Sequence, residues 1–479
     1  MPERVIFLIE ITCLLDVNSP ISLYIQLYQY LKNEIQNENI AANAKLPSQR
    51  KLAQHLNISR NTVDSAYQQL LVEGFIRSEP RRGLFVEKFQ NNQFVTLRQS
   101  HSRPTNKKNQ ATKDVIYDFR QDSIDLELVP TTLWKKLMSS SLQKESSQLY
   151  LNGDQQGEYE LRKQIADYLF QSRAVYCQPE QIIIAAGTQY LLTLLCSLLG
   201  REITYAVEEP GFHRAREVLK NEGVNVQSIP LDAQGINLHK LKASHAKIVY
   251  VTPSHQFPTG SIMPITRRMT LIEWANANES FIIEDDHDGE LRYQGRPIPS
   301  MQGLDKNHRI IYLGTFSRSL FPSICVSYMV LPEPLISKYK DKFSAYKQTI
   351  PRIHQHTLAM FLEAGHFGRH INRIRTAYKR KYDTLLMCIT RFMGNKVEII
   401  SSESGLHILL SPRNHMTEAE LIQSAKQAHV RVYPTSVYYT TSVWKENPTI
   451  LLGFGGLSLE EIEKGIIQLN KAWFNETHS

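Results

Sequence analysis

Apolar residues recur every three to four positions through residues 20–74, and after a polar gap they gather into short uninterrupted runs. In the first region Leu23, Leu27, Leu31 and Ile35 mark one face of a helix entered after Pro20, with Tyr24 and Tyr28 adding bulk. Leu46-Pro47-Ser48 opens a second helix, with Ser48 as its N-cap and Leu52, Ala53 and Leu56 as its inner face. Asn57-Ile58 forms a turn, and Ser59 caps a third helix that turns Val63, Ala66, Tyr67, Leu70 and Leu71 inward. Gly74 stops it. Phe75-Ile76-Arg77 and Leu84-Phe85-Val86 flank the basic tip Pro80-Arg81-Arg82-Gly83, a short hairpin.

From about residue 114 the strand-like runs 181–186, 203–207, 247–252, 281–284, 309–313 and 327–331 alternate with amphipathic helical stretches. Such alternation predicts an α/β domain with a largely parallel, buried sheet, and its length leaves room for a smaller C-terminal α+β lobe from about 380. Residues 89–113 are polar, basic and non-periodic, the composition of a flexible linker. The predicted organisation is therefore a helical unit at 1–88, a linker at 89–113 and a large α/β domain at 114–479. The apolar stretch 5–15 reads as a strand rather than a signal peptide, because Glu10 interrupts it and no small-residue cleavage site follows.

Charge changes the picture at one end only. Residues 45–88 hold eight Lys/Arg against four Asp/Glu, and residues 89–113 hold five against none, so this segment carries +9 and the rest of the chain sums to −1, within a net charge of +8. A polyanionic partner confined to the N-terminal quarter is the natural reading. Five scattered cysteines exclude a disulfide framework and a cysteine-rich zinc site. No apolar run approaches about 18 residues, the length that a membrane helix needs. Together these features point to a cytoplasmic protein with no membrane partner, and no metal ligands are assigned.

Helix, helix, short turn, helix and hairpin describe a winged helix-turn-helix, in which the first turn of the second helix of the pair faces base edges in the major groove. Those positions are Ser59, Arg60, Asn61, Thr62 and Ser65; arginine reads guanine bidentately and asparagine reads adenine. Ser48, Arg50 and Lys51 suit phosphates, and Arg81 and Arg82 suit the backbone or minor groove. The segment resembles the GntR family of bacterial regulators through Leu46-Pro-Ser48, Arg50, Leu52-Ala53, Leu56, Ile58-Ser-Arg60, Thr62-Val63, Ala66, Leu70 and Glu73-Gly74.

Five chemically suggestive groups each follow a predicted strand: Gly187-Thr188, Glu208-Glu209-Pro210-Gly211-Phe212, the turn-rich 252–260, Asp285-Asp286-His287-Asp288 and Thr315-Phe316-Ser317-Arg318. A Gly-Thr turn opening a helix offers free N–H groups to a phosphate, and strand ends of an α/β sheet converge on one crevice. In order and spacing these loops resemble a fold-type I aminotransferase domain, which binds pyridoxal 5'-phosphate (PLP). Joined to a GntR-type winged helix, such a domain makes the chain similar to the MocR/GabR family of bacterial transcription regulators.

That resemblance implies roles at particular positions. Asp285 matches the carboxylate at the pyridinium nitrogen, Phe212 the aromatic over the ring, and Gly187, Thr188, Thr315 and Ser317 the phosphate loop. Arg214 matches a site arginine. Four positions depart from the pattern. The Schiff-base lysine is Arg318, the arginine seven residues later is Cys325, the tyrosine beside the cofactor's phenolic oxygen is His287, and a substrate-carboxylate arginine falls at Val437. Lysine forms an imine because its amine can deprotonate, whereas an arginine guanidinium stays charged and is a poor nucleophile. The expected protein is a DNA-binding regulator whose aminotransferase-like domain dimerises head-to-tail and senses a small-molecule effector. PLP is expected noncovalently at most, with Arg318 turned to its phosphate, and aminotransferase catalysis is not expected. The alternatives are a PLP-dependent aminotransferase carrying a DNA-binding domain, and a DNA-binding protein with no ligand.

Overall fold

The computed structural model describes residues 13, 15–17, 19–88, 116–144, 147–293, 298–400, 404–440 and 448–474. The predicted linker, and the predicted N-terminal strand apart from Cys13 and Leu15, lie outside them. The chain divides into two compact units, Met1–Lys108 and Asn109–Ser479.

In the first unit, helices α1 (Leu23–Gln36), α2 (Gln49–Leu56) and α3 (Arg60–Val72) precede strands β1 (Ile76–Glu79) and β2 (Gly83–Val86). The strands pair antiparallel from Ile76 opposite Val86 to Glu79 opposite Gly83. Leu27, Leu31 and Ile35 of α1 meet Leu52 of α2 and Val63, Tyr67 and Leu70 of α3 in one buried core. Leu23 is only half-buried and Tyr24 is exposed, because the α1 stripe leaves the core at its first turn. Both predicted caps form: the Ser48 hydroxyl accepts from Lys51 N and the Ser59 hydroxyl from Thr62 N. Asn57 adopts the left-handed conformation that turns the chain between α2 and α3.

The second unit is built on an eight-stranded sheet. Across it the strands run Ile182–Ala186, Val326–Val330, Ile310–Thr315, Phe281–Asp286, Ile248–Val251, Thr204–Glu209, Asn225–Asp232 and Gly235–Ile236. Pairing is parallel from Ile310–Thr315 through to Asn225–Asp232. The sheet is thus largely parallel, as expected, with two strands reversed. Val326–Val330 runs antiparallel to both neighbours, since the chain from 316 to 325 is too short for the crossover of a dozen or more residues that a parallel return needs. The last pair, Asn225–Asp232 with Gly235–Ile236, is a tight antiparallel hairpin whose strands carry too many polar residues to stand out as apolar runs.

Both sheet faces are covered, so successive residues enter different cores. Ile183 and Ala185 join Leu191 and Leu195 of helix Thr188–Leu199. Ile182 and Ile184 join Leu161, Ile165 and Leu169 of helix Tyr159–Arg173. Toward the other edge Val249, Val251 and Ile282 pack on Leu271 and Trp274 of helix Ile265–Ala277. A second, four-stranded antiparallel sheet follows the long helix His366–Phe392, in the order Val397–Ile400, His407–Pro412, Ile450–Gly453 and Tyr433–Pro434. No helix among the described residues is long and apolar enough to cross a membrane.

Candidate functional site

Each unit carries one candidate site. In the first, the Ser59 cap places Arg60 at the first helical position of α3, with Asn61 and Ser65 exposed beside it and Thr62 half-exposed. Arg60 Nε and Nη2 both lie 3.4 Å from Oε1 of Gln49, whose Nε2 donates to Asp64 (2.5 Å). Gln49, unremarked in the sequence, thus bridges the start of α2 to α3 and steadies the guanidinium. Ser48, Arg50 and Lys51 are exposed at the opening of α2. At the wing Arg81 takes a positive φ, while Arg82 bonds Glu79 and lies over the Phe85 ring. Behind α3, Lys32 pairs with Glu73 at 2.7 Å and the Tyr28 hydroxyl donates to the same carboxylate. Partial burial opposes ionisation of Glu73, but those donors and Gln69 outweigh it and draw the carboxyl down to about 2.

In the second unit, the strands preceding all five loops end on the same edge of the sheet. Thr315 stands opposite Ser327, and Ser327 opposite Ala185, so the Gly187 turn and the Thr315–Arg318 turn neighbour one another across a single strand. Gly187 has φ +87° and opens helix Thr188–Leu199 with no side-chain cap, leaving the N–H groups of the first turn as an anion cradle. The Thr315 hydroxyl is already engaged, accepting from Ser317 N (3.2 Å) and from the Ser327 hydroxyl (2.9 Å).

The middle loops are tied by buried polar contacts. The Tyr250 hydroxyl donates to Asp285, whose carboxyl is pushed up by burial against the opposing effects of His287 and Tyr250. Thr252 donates to Glu208 through its N–H (3.1 Å) and its hydroxyl (2.8 Å), while the other Glu208 oxygen is buried without a hydrogen-bond partner among the described residues. Gly211 is required there: a Cβ would stand 2.1 Å from the Glu208 carbonyl oxygen. Arg173, from the end of helix Tyr159–Arg173, donates to Asp286 (2.6 Å) and to the Ser254 hydroxyl (2.8 Å). His255 Nδ1 sits 3.0 Å from both oxygens of Asp288, and Gly405 (φ +75°) packs its backbone onto that pair. His407 Nε2–H donates to the Pro258 carbonyl (3.0 Å), and its ring is pushed down to about 3 by burial and the charge of His255.

Phe212 lies parallel to His287, with centroids 6.5 Å apart, and Phe257 stands edge-on to both. Arg318 is half-buried; its Nη1 donates to the Gln121 carbonyl (2.7 Å), and its charge is felt at Asp288 and His407. Arg214 is exposed and faces Asp122 at 3.3 Å. Cys325 is exposed with φ +49°, and the Val437 carbonyl accepts from Arg216 (3.1 Å). The residues missed in the sequence are Tyr250, Arg173, Gln121 and Tyr438, all more than thirty positions from the groups they touch.

Glu208 provides a pH test of this core. Its carboxyl is pushed up to about 7, chiefly by burial. The folded chain then holds a proton that the unfolded chain has released, so Glu208 makes stability fall as pH rises from about 4.5 to about 7. Glu208→Gln is expected to flatten that fall by up to about 3 kcal/mol, measured by urea unfolding at pH 5 and pH 8. Glu290, which burial and Asp286 also push up to about 7, contributes to the residual slope together with Glu284 and Asp285, which burial raises as well.

A winged helix-turn-helix unit and an aminotransferase-type α/β unit in one chain define a DNA-binding transcription regulator with an aminotransferase-like domain. Residues 23–86 match the family described as bacterial regulatory proteins, gntR family, and residues 117–451 match aminotransferase class I and II. An HTH-type transcriptional regulator of Bacillus subtilis, YdeL, is 44% identical over 97% of this chain and 99% of its own. The probable rhizopine catabolism regulatory protein MocR of Rhizobium meliloti is 30% identical over 96% of this chain and 95% of its own. The kynurenine aminotransferase of Pyrococcus horikoshii, solved with PMP, superposes with a TM-score of 0.69 at 25% identity, covering 78% of this chain and 94% of that one. The chain belongs to the MocR/GabR family of transcription regulators.

Proposed function

We propose that the aminotransferase-like unit acts as a ligand-sensing and dimerising module, holds PLP noncovalently at most, and performs no transamination. The observation that carries this reading is Arg318, which stands where the resemblance places the Schiff-base lysine and commits a guanidinium N–H to the Gln121 carbonyl. A guanidinium forms no imine under ordinary conditions, so the residue serves as an anion partner instead.

The residues present fit PLP in part. The uncapped first turn after Gly187 suits its phosphate, buried Asp285 suits its ring nitrogen and Phe212 suits the ring face. When bound, PLP supplies an electron sink. Asp285 then needs its negative charge, which a ring N–H would favour against the burial that now raises its pKa. Leu142, Tyr150, Leu151 and Tyr346 are exposed around one surface cleft of this unit, an apolar patch that supports a homodimer. Two DNA-reading helices on one dimer would raise affinity for a two-part operator through effective concentration.

Absorption spectra of the protein with PLP, taken before and after desalting, test this. The expected result is the spectrum of free PLP, removed by desalting, with Arg318→Lys gaining a retained visible band that borohydride fixes. A band of that kind in the unaltered protein would show that another lysine has taken over. A change in operator affinity on adding PLP identifies it as the effector, and an unchanged affinity removes it from that role.

A further inference from the structure

We infer that His255, His287 and Asp288 form a binding site for a zinc-like divalent cation among the loops at the strand ends of the large unit. The two histidines and the carboxylate each offer one ligand atom, and the three atoms lie within 4.8 Å of one another. His255 Nδ1 is 3.0 Å from Asp288, and His287 Nε2 is 3.4 Å from Asp288 Oδ1. Ligands at about 2.0–2.1 Å from a tetrahedral zinc ion are separated by about 3.3 Å, so both distances already approach what coordination needs.

A second observation concerns His287 alone. Its Nε2 is shielded from solvent and has no hydrogen-bond partner among the described residues, although a carboxylate lies beside it. A buried polar nitrogen without a partner costs free energy unless something occupies its lone pair. A cation held jointly with His255 and Asp288 would do so. The pair is rigidly placed, because Gly405 lies directly on it and a Cβ there would come within 2.4 Å of His255 and 2.8 Å of Asp288. Two imidazoles and one carboxylate suit zinc, cobalt or nickel rather than calcium or magnesium, and three protein ligands leave a coordination position open.

His287 stands where the resemblance implies a tyrosine, so the site separates this chain from that pattern through a single residue. The test uses the full chain stripped with a chelator and titrated with cobalt(II) chloride, with no PLP added, so the outcome is independent of any cofactor. One equivalent of cobalt per chain is expected, with visible absorption of low-symmetry coordination. His287→Tyr is expected to weaken binding by more than about tenfold, since loss of even an outer partner of a metal ligand costs about that much. A thermal melt like that of the unaltered protein shows that this variant is folded. No cobalt bound by the unaltered protein, or equal binding by both proteins, overturns the proposal; the second outcome would place the ion at other histidines or at exposed Cys325.

Discussion

Replacing Arg173 with leucine is expected to destabilise the large unit by about 3–5 kcal/mol, the cost of leaving one member of a buried ion pair without the other. Arg173 and Asp286 each retain only 3% side-chain exposure, with Nε and Oδ2 2.6 Å apart. Without the guanidinium, Asp286 keeps the Tyr312 hydroxyl at 2.6 Å, and the Ser254 hydroxyl loses the Arg173 donor. The damage falls beside the site, because Asp286 follows Asp285 and Ser254 precedes His255. Urea unfolding followed by tryptophan fluorescence would show a lower midpoint with little change in slope. Arg173→Met combined with Asp286→Leu is expected to recover much of the loss, since an apolar pair of similar volume removes the unpaired charge. If the double variant is no more stable than Arg173→Leu, the cost lies in packing and not in charge.

The second large effect is expected at Arg60. Truncation to alanine should weaken binding to a specific operator by about 1–3 kcal/mol, roughly 5- to 150-fold, while binding to a scrambled duplex changes little. The exposed guanidinium at the first turn of α3 is where a helix-turn-helix reads bases, and Gln49 holds it without burying it. Fluorescence anisotropy on an operator selected from random DNA, beside a scrambled duplex of equal length, separates the outcomes. Equal loss on both sequences would make Arg60 a phosphate contact, and the salt dependence would then fall by about one counterion. Gln49→Ala is expected to give a smaller loss in the same direction, because it frees the guanidinium without removing it.

Much of the DNA-reading unit was legible because its signals are local. A serine three residues before the N–H it caps, a stripe at i, i+4 and i+8, and a glycine after the last turn all act within a few residues. The five loops of the large unit were legible in the same way, since each follows a short β-rich run. The exposure of Tyr24 and the antiparallel course of Val326–Val330 were not. Exposure depends on where the partner helices end, and strand direction depends on which neighbour a strand finds.

The candidate site divides along the same line. Its residue types and the absence of a lysine after Ser317 stand in the sequence itself, as does the histidine two positions after Asp285. Only the tertiary structure joined Arg173 to Asp286 across 113 residues, Tyr250 to Asp285, and Gly405 to the His255–Asp288 pair. Caps and stripes are selected by the backbone's own geometry, whereas buried polar pairs form only where packing excludes water and brings distant groups within hydrogen-bond reach. Arg318 was readable as a changed residue, but its half-buried guanidinium on the Gln121 carbonyl became visible only once the fold had brought the two together.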